Sequence, residues 1–133
     1  MDFWKDKSKG IVQTELYSVR AKEIVGKFFY KDRNGKTQKE LDSTQLRKFY
    51  NDVLIIKTKI NNAEDMELEF DIQLPYLNML RAKVQYSESR KNIKKLNSNF
   101  KWFINESLSQ IEDLNDFKVF CTLFESVIAY FGK

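Results

Sequence analysis

Met79, Lys83, Tyr86 and Arg90 recur at intervals of four, three and four residues. On an α-helix this spacing gathers them on one face, with about 10 Å of axial rise between the two cations. A lysine and an arginine so far apart cannot share one phosphate, but they can hold neighbouring phosphates of one strand. Such contacts position a nucleic acid without reading its sequence. No acid of the same helix shares that face; Arg81, Gln85 and Glu88 lie on the other flank, where Glu88 is placed to offset Arg81. A second pair of cations, Arg47 and Lys48, stands directly before Phe49 and Tyr50 in "DSTQLRKFYNDV", residues 42–53. At about 100° per residue the two cations flank the apolar stripe while the two aromatics fall inside it. Phe49 and Tyr50 are therefore expected in the core, and Arg47 and Lys48 at the surface. Lys94 and Lys101 would extend the same basic surface. A solvated helix flank has the same pattern, so spacing alone leaves both readings open.

Other chemistries lack their residues. The chain has no histidine and a single cysteine, Cys121. That removes the commonest general base and metal ligand, and with them zinc sites and Cys–His nucleophiles. Four glycines form neither a phosphate-cradling loop nor a nucleophile elbow. The acidic stretch 61–71 lacks the ligand spacing and central glycine of a calcium loop. Paired carboxylates could still carry acid–base work, yet nothing singles out a pair. A non-enzyme without cofactor or metal is expected, and an enzyme using only Asp and Glu is a remote alternative.

The net charge of +4 is unevenly distributed. Residues 1–60 hold 14 Lys/Arg against 8 Asp/Glu, and residues 75–104 hold seven bases against one acid. Between them, residues 61–74 hold five acids and no base, and residues 105–133 hold two bases and five acids. Such blocks can give a folded domain one basic face. No apolar run approaches the ~20 residues of a membrane span, and the N-terminal stretch lacks the apolar core of a secretion signal. With one cysteine, a reducing and therefore cytoplasmic setting is expected.

The elements that must position these residues read as helices. A first is expected over about 14–27, capped by Thr14, with Leu16, Val19 and Ile24 inward. Residues 30–42 form a polar connector turning at Asn34-Gly35; a hairpin of 24–30 on 37–41 is less well supported than a loop. A second helix starts at Ser43, where Asp42 and Gln45 have capping-box spacing. It buries Leu46, Phe49, Tyr50, Val53, Ile56 and Ile60. Residues 61–71 read as a solvated linker, and Pro75 as the opening of a third helix that runs to Arg90 and buries Leu77, Leu80 and Val84. A fourth covers 93–111 with Ile93, Leu96, Phe100, Ile104, Leu108 and Ile111 inward. The last, 114–131, is apolar over more than half its circumference through Phe117, Phe120, Phe124, Ile128 and Phe131 beside Val119, Leu123, Val127 and Tyr130. Such a helix is either central in the core or docked on another chain. The expected fold is all-α: one domain over 1–133, a bundle of about five helices.

"STQLRKFYNDV" (43–53), "PYLNMLRAKVQYSESR" (75–90) and "FKVFCTLFESVIAYF" (117–131) occur in this order, joined by polar connectors. Together they resemble the small all-helical subunit of the Csm complex, the type III-A CRISPR–Cas interference machine. The resemblance implies a non-catalytic helical bundle whose copies stack along the complex. It also implies basic residues that touch the backbone of the target RNA in its duplex with the guide RNA. Carried over, Arg47 sits at the arginine of a T-S-x-L-R-like motif. Lys83 and Arg90 sit at the basic positions of a K-h-x-Y-x-x-G-R-like motif, h being apolar; Lys48 and Arg81 are their neighbours. Ser89 departs from that pattern, where a glycine is common. The implied partners are target and guide RNA, the other Csm subunits and further copies of the chain, with no membrane and no small-molecule substrate. The second reading is a protein–protein interaction module that acts through the apolar last helix, with the cations merely solvated.

Overall fold

Among the described residues, two short hairpins precede four long helices. The structure, a computed structural model, describes residues 1–90 and 99–132, and the side chains of all of these except 88–90. Strand β1 (Trp4–Asp6) pairs antiparallel with β2 (Ile11–Val12), and Gly10 at φ 71° closes the turn between them. A π-helical turn over Leu16–Arg20 leads into the short helix α1 (Ala21–Gly26). Strands β3 (Phe29–Lys31) and β4 (Thr37–Lys39) form a second antiparallel hairpin. Then come α2 (Ser43–Asn61), α3 (Met66–Arg90), α4 (Asn99–Ser109) and α5 (Leu114–Phe131). The fold is thus mostly helical, with five α-helices among the described residues, and among them no helix is long and apolar enough to cross a membrane.

Several local expectations need correction, each for a physical reason. Thr14 does not cap the first helix, which starts at Leu16 after Glu15. Val19 is exposed rather than inward, because the wider π-turn shifts the angular phase that α-periodicity assumes. The 30–42 connector contains a true hairpin. Asp32 Oδ1 accepts the Asn34 and Lys36 amides, both at 2.9 Å, and Gly35 takes φ 77°. Those bonds supply the turn, and strands of three residues are too short to show alternation. The largest correction concerns 61–71. Only 62–65 connects the helices, and Glu67, Glu69 and Asp71 of the acidic run fall in the first turns of α3, which continues through Pro75. Asp65 Oδ1 accepts the Leu68 amide at 3.1 Å, and Glu67 and Glu69 sit where the helix dipole favours negative charge. The first six positions of the expected fourth helix, with Ile93, Lys94 and Leu96, lie outside the described residues.

The last helix resolves in favour of the core. Phe117, Phe120, Leu123, Phe124 and Val127 of α5 are fully buried, and of its large apolar side chains Tyr130 near its end is the exposed one, at 45 %. Phe124 meets Phe103 edge-on at 5.5 Å and lies 5.3 Å from Tyr50 and 5.7 Å from Phe120, between ring centroids. Phe28, Phe49 and Phe100 continue this aromatic cluster toward α1 and β3.

The start of α4 is capped from a distance. Glu40 accepts the amides of Asn99 and Phe100, both at 3.0 Å, and the Asn99 side chain at 2.9 Å. A carboxylate on free helix N–H groups stabilises by charge-assisted hydrogen bonds. We expect Glu40→Ala to cost about 1–2 kcal/mol, read as a lower urea midpoint; an unchanged midpoint would show that the cap contributes nothing.

Candidate nucleic-acid interface

The second and third helices position the cations. Asp42 and Gln45 start α2 with the expected capping box: Gln45 N–H donates to Asp42 Oδ1 at 2.8 Å, and Asp42 N–H donates to Gln45 Oε1 at 3.3 Å. The Gln45 side-chain amide also donates to Ser87 Oγ at 3.3 Å, tying the start of α2 to the end of α3. The two helices thus run antiparallel. Leu46, Phe49 and Val53 on one, and Leu77, Leu80 and Val84 on the other, are buried in the common core.

This pairing places Lys48 and Lys83 on the same open cleft, whose walls include Gln45, Phe49, Asp52, Tyr86 and Ser87. Both lysines are exposed, as are Met79 and Tyr86 on the same face of α3. Arg47 is exposed on the neighbouring edge of α2 but does not line the cleft. Arg90 ends α3, about 10 Å along the axis from Lys83 at 1.5 Å per residue. The cleft is less purely basic than the sequence of α3 implies, because Asp52 of α2 reaches Lys83 at 3.5 Å. Periodicity on α3 could not reveal a carboxylate that arrives from another helix. Asp52 does lie four residues after Lys48, and that spacing is the signal that both share one flank of α2.

Arg81 is on the far side. Its guanidinium donates to the Asn105 carbonyl at 3.3 Å, to Asn105 Oδ1 at 3.2 Å and to Ser109 Oγ at 3.3 Å. It joins α3 to α4 and does not meet the cleft shared by Lys48 and Lys83. Lys101 is half-buried on α4.

A family model, Csm2 Type III-A, matches residues 26–132. The chain belongs to this family. Csm2 membership makes it a structural small subunit of a type III-A CRISPR effector, working beside the other Csm subunits. No curated protein and no solved structure matches the chain. The Csm2 match spans α2 through α5 and begins at the end of α1, so it contains the whole cleft. The N-terminal hairpin lies outside it.

That hairpin is nonetheless firmly attached to the Csm2 portion. Asp116, 2 % exposed at the start of α5, accepts the Trp4 indole N–H at 2.7 Å and the Glu112 amide at 2.9 Å. Lys7 reaches the same carboxylate at 3.0 Å and Asp113 at 2.8 Å. Burial pushes the Asp116 carboxyl up. The Glu112 amide, the Trp4 indole and the Lys7 ammonium outweigh it and hold the group below its ordinary value.

Proposed function

We propose that this Csm2-family subunit holds the sugar–phosphate backbone of target RNA in its duplex with the guide, without reading sequence, and that copies of it stack along the strand. Lys48 and Lys83 grip from the cleft between α2 and α3, with Arg47 and Arg90 extending the contact to neighbouring phosphates. Arg81 adds positive charge from the opposite flank while its donors remain on α4. The subunit is non-catalytic and acts in the cytoplasm; bond-breaking chemistry belongs to other subunits.

The observation that carries this reading is the convergence of two lysines from separate helices on one open, exposed cleft. Lysines far apart in sequence need the fold to bring them together, whereas a merely solvated flank requires no such meeting. The partnership of Lys83 with Asp52 is compatible with it. An exposed ion pair contributes only about 0–1 kcal/mol, so a phosphate can take the place of the carboxylate at little cost.

Reversing Arg47, Lys83 and Arg90 together to glutamate should lower retention of target RNA by the reconstituted effector about tenfold or more at physiological salt. The loss should be the same for two unrelated RNA sequences paired with their own guides. Undiminished retention, or a loss confined to one sequence, would refute backbone holding by these residues. A module acting only through its last helix has less support, since the broad apolar surface of α5 is spent on the core.

A further inference from the structure

The β3–β4 hairpin carries a second cationic surface, none of whose residues lines the lysine cleft. Residues 26–42 hold five bases, Lys27, Lys31, Arg33, Lys36 and Lys39, against three acids, Asp32, Glu40 and Asp42. All three carboxylates are turned to amides. Asp32 accepts the Asn34 and Lys36 amides and the Gln38 side chain. Glu40 accepts the amides of Asn99 and Phe100, and Asp42 that of Gln45. The five bases are exposed, and none forms an ion pair with a carboxylate of the described residues.

The root of the hairpin is fixed on the start of α4. Glu40 N–H donates to the Phe28 carbonyl at 2.8 Å, and the Asn99 side-chain amide donates to the Lys27 carbonyl at 2.9 Å. One turn further along α4, Trp102 is 42 % exposed, with the Lys27 ammonium 5.7 Å from its ring centre. The strand register sets Phe29 opposite Lys39 and Lys31 opposite Thr37, so these four share one face of the hairpin. Phe29 stacks on Phe131 at 5.5 Å, and the Lys39 ammonium stands 5.7 Å over the same ring. Lys31 follows about 7 Å further along the strands. An exposed indole and three ammonium groups are thus set around one junction. Glu106, half-buried one turn beyond Trp102, marks its far side on α4.

We propose that this junction binds an unpaired stretch of nucleic acid. A base stacks on the Trp102 indole, and phosphates of the flanking nucleotides contact Lys27, Lys39 and Lys31. Aromatic platforms beside cations are how proteins hold single strands, because every base offers a π-face. A duplex keeps its bases stacked inside and offers the indole none. An acidic peptide would satisfy the ammonium groups but bring no flat partner to the ring. Stacking and ammonium contacts distinguish neither sequence nor sugar, so RNA and DNA strands are both accepted. The inference stands apart from duplex holding in the α2/α3 cleft.

The test uses the free full-length chain with short oligouridylate and its deoxy counterpart, oligothymidylate. Either strand should quench Trp102 emission, while Trp4, held on Asp116, gives a constant background. An RNA duplex with the same number of phosphates, and polyglutamate, should leave the emission unchanged. Affinity is read from the anisotropy of a labelled strand, with unlabelled duplex in excess to fill the α2/α3 cleft. Trp102→Leu should weaken binding about tenfold, whereas Trp102→Phe, which keeps a ring, should retain most of the affinity. Lys27→Glu with Lys39→Glu should make the slope of log K against log[salt] shallower by about 1.4. No quenching by either strand, equal quenching by the duplex, or native affinity in Trp102→Leu would each overturn the proposal. Quenching by polyglutamate would also overturn it, in favour of an acidic protein surface. The emission reports the indole itself, so this result and the retention test of Arg47, Lys83 and Arg90 can fail independently.

Discussion

Phe124→Ala should cost about 4 kcal/mol of stability, lowering the thermal midpoint of the chain by more than about 10 °C. The ring is fully buried and touches the rings of Tyr50, Phe100, Phe103 and Phe120, so α2, α4 and α5 meet on it. Truncation removes the transfer free energy of the ring and leaves a cavity whose walls belong to three helices and cannot collapse independently. Tyr130→Ala on the same helix should change stability by less than about 1 kcal/mol, because nearly half of that residue is open to water. Circular dichroism melts of the two variants make the comparison. Equal losses would mean that α5 is not the centre of the core.

A second large effect is expected at Asp116. Its carboxylate is buried, and the Trp4 indole, the Lys7 ammonium and the Glu112 amide all donate to it. Asp116→Ala strips a charge-assisted acceptor from several donors at once, with an expected cost of about 3 kcal/mol. Lys7→Ala should cost no more than about 1 kcal/mol, since that ammonium is well exposed. The pH dependence follows from the direction of the shift. The folded carboxyl is held below its ordinary value of 3.8, so its contribution is complete above that value. It is lost as pH falls from there through the lower folded value. Asp116→Asn should therefore flatten the acid limb of the stability curve below about pH 4. An acid limb unchanged by Asp116→Asn would mean that the hairpin is not held through this carboxylate.

These two sites also show where sequence reading succeeds and where it stops. The start of α2 was legible because its capping box is local, with donor and acceptor three residues apart at Asp42 and Gln45. The buried stripes of α2 and α5 were legible because long helices repeat their period several times. The start of α3 was not. Five acids and a proline imitate a linker, yet the acids suit a helix N-terminus and Pro75 is exposed on the helix surface. Burial of Phe70, 6.1 Å from Phe117 between ring centroids, helps anchor the turns before it. The attachment of Trp4 and Lys7 to Asp116 spans more than a hundred residues of sequence, and no local pattern records it.

The candidate site divides in the same way. Exposure of Arg47, Lys48 and Lys83 follows from helical phase and was readable. The meeting of Lys48 with Lys83, the pairing of Lys83 with Asp52 and the attachment of Arg81 to Asn105 are contacts between helices. Each depends on how the helices are set against one another, which periodicity within one helix does not encode.

If, as proposed, cations on α2 and α3 neutralise RNA phosphates inside the effector, the salt dependence of target-RNA binding to the reconstituted complex must report it. Each neutralised single-strand phosphate contributes about −0.7 to the slope of log K against log[salt]. Replacing Arg47, Lys83 and Arg90 together by glutamate should make that slope shallower by about 2, equally for unrelated sequences. Coincident slopes for the native and substituted complexes would contradict phosphate contact at these residues.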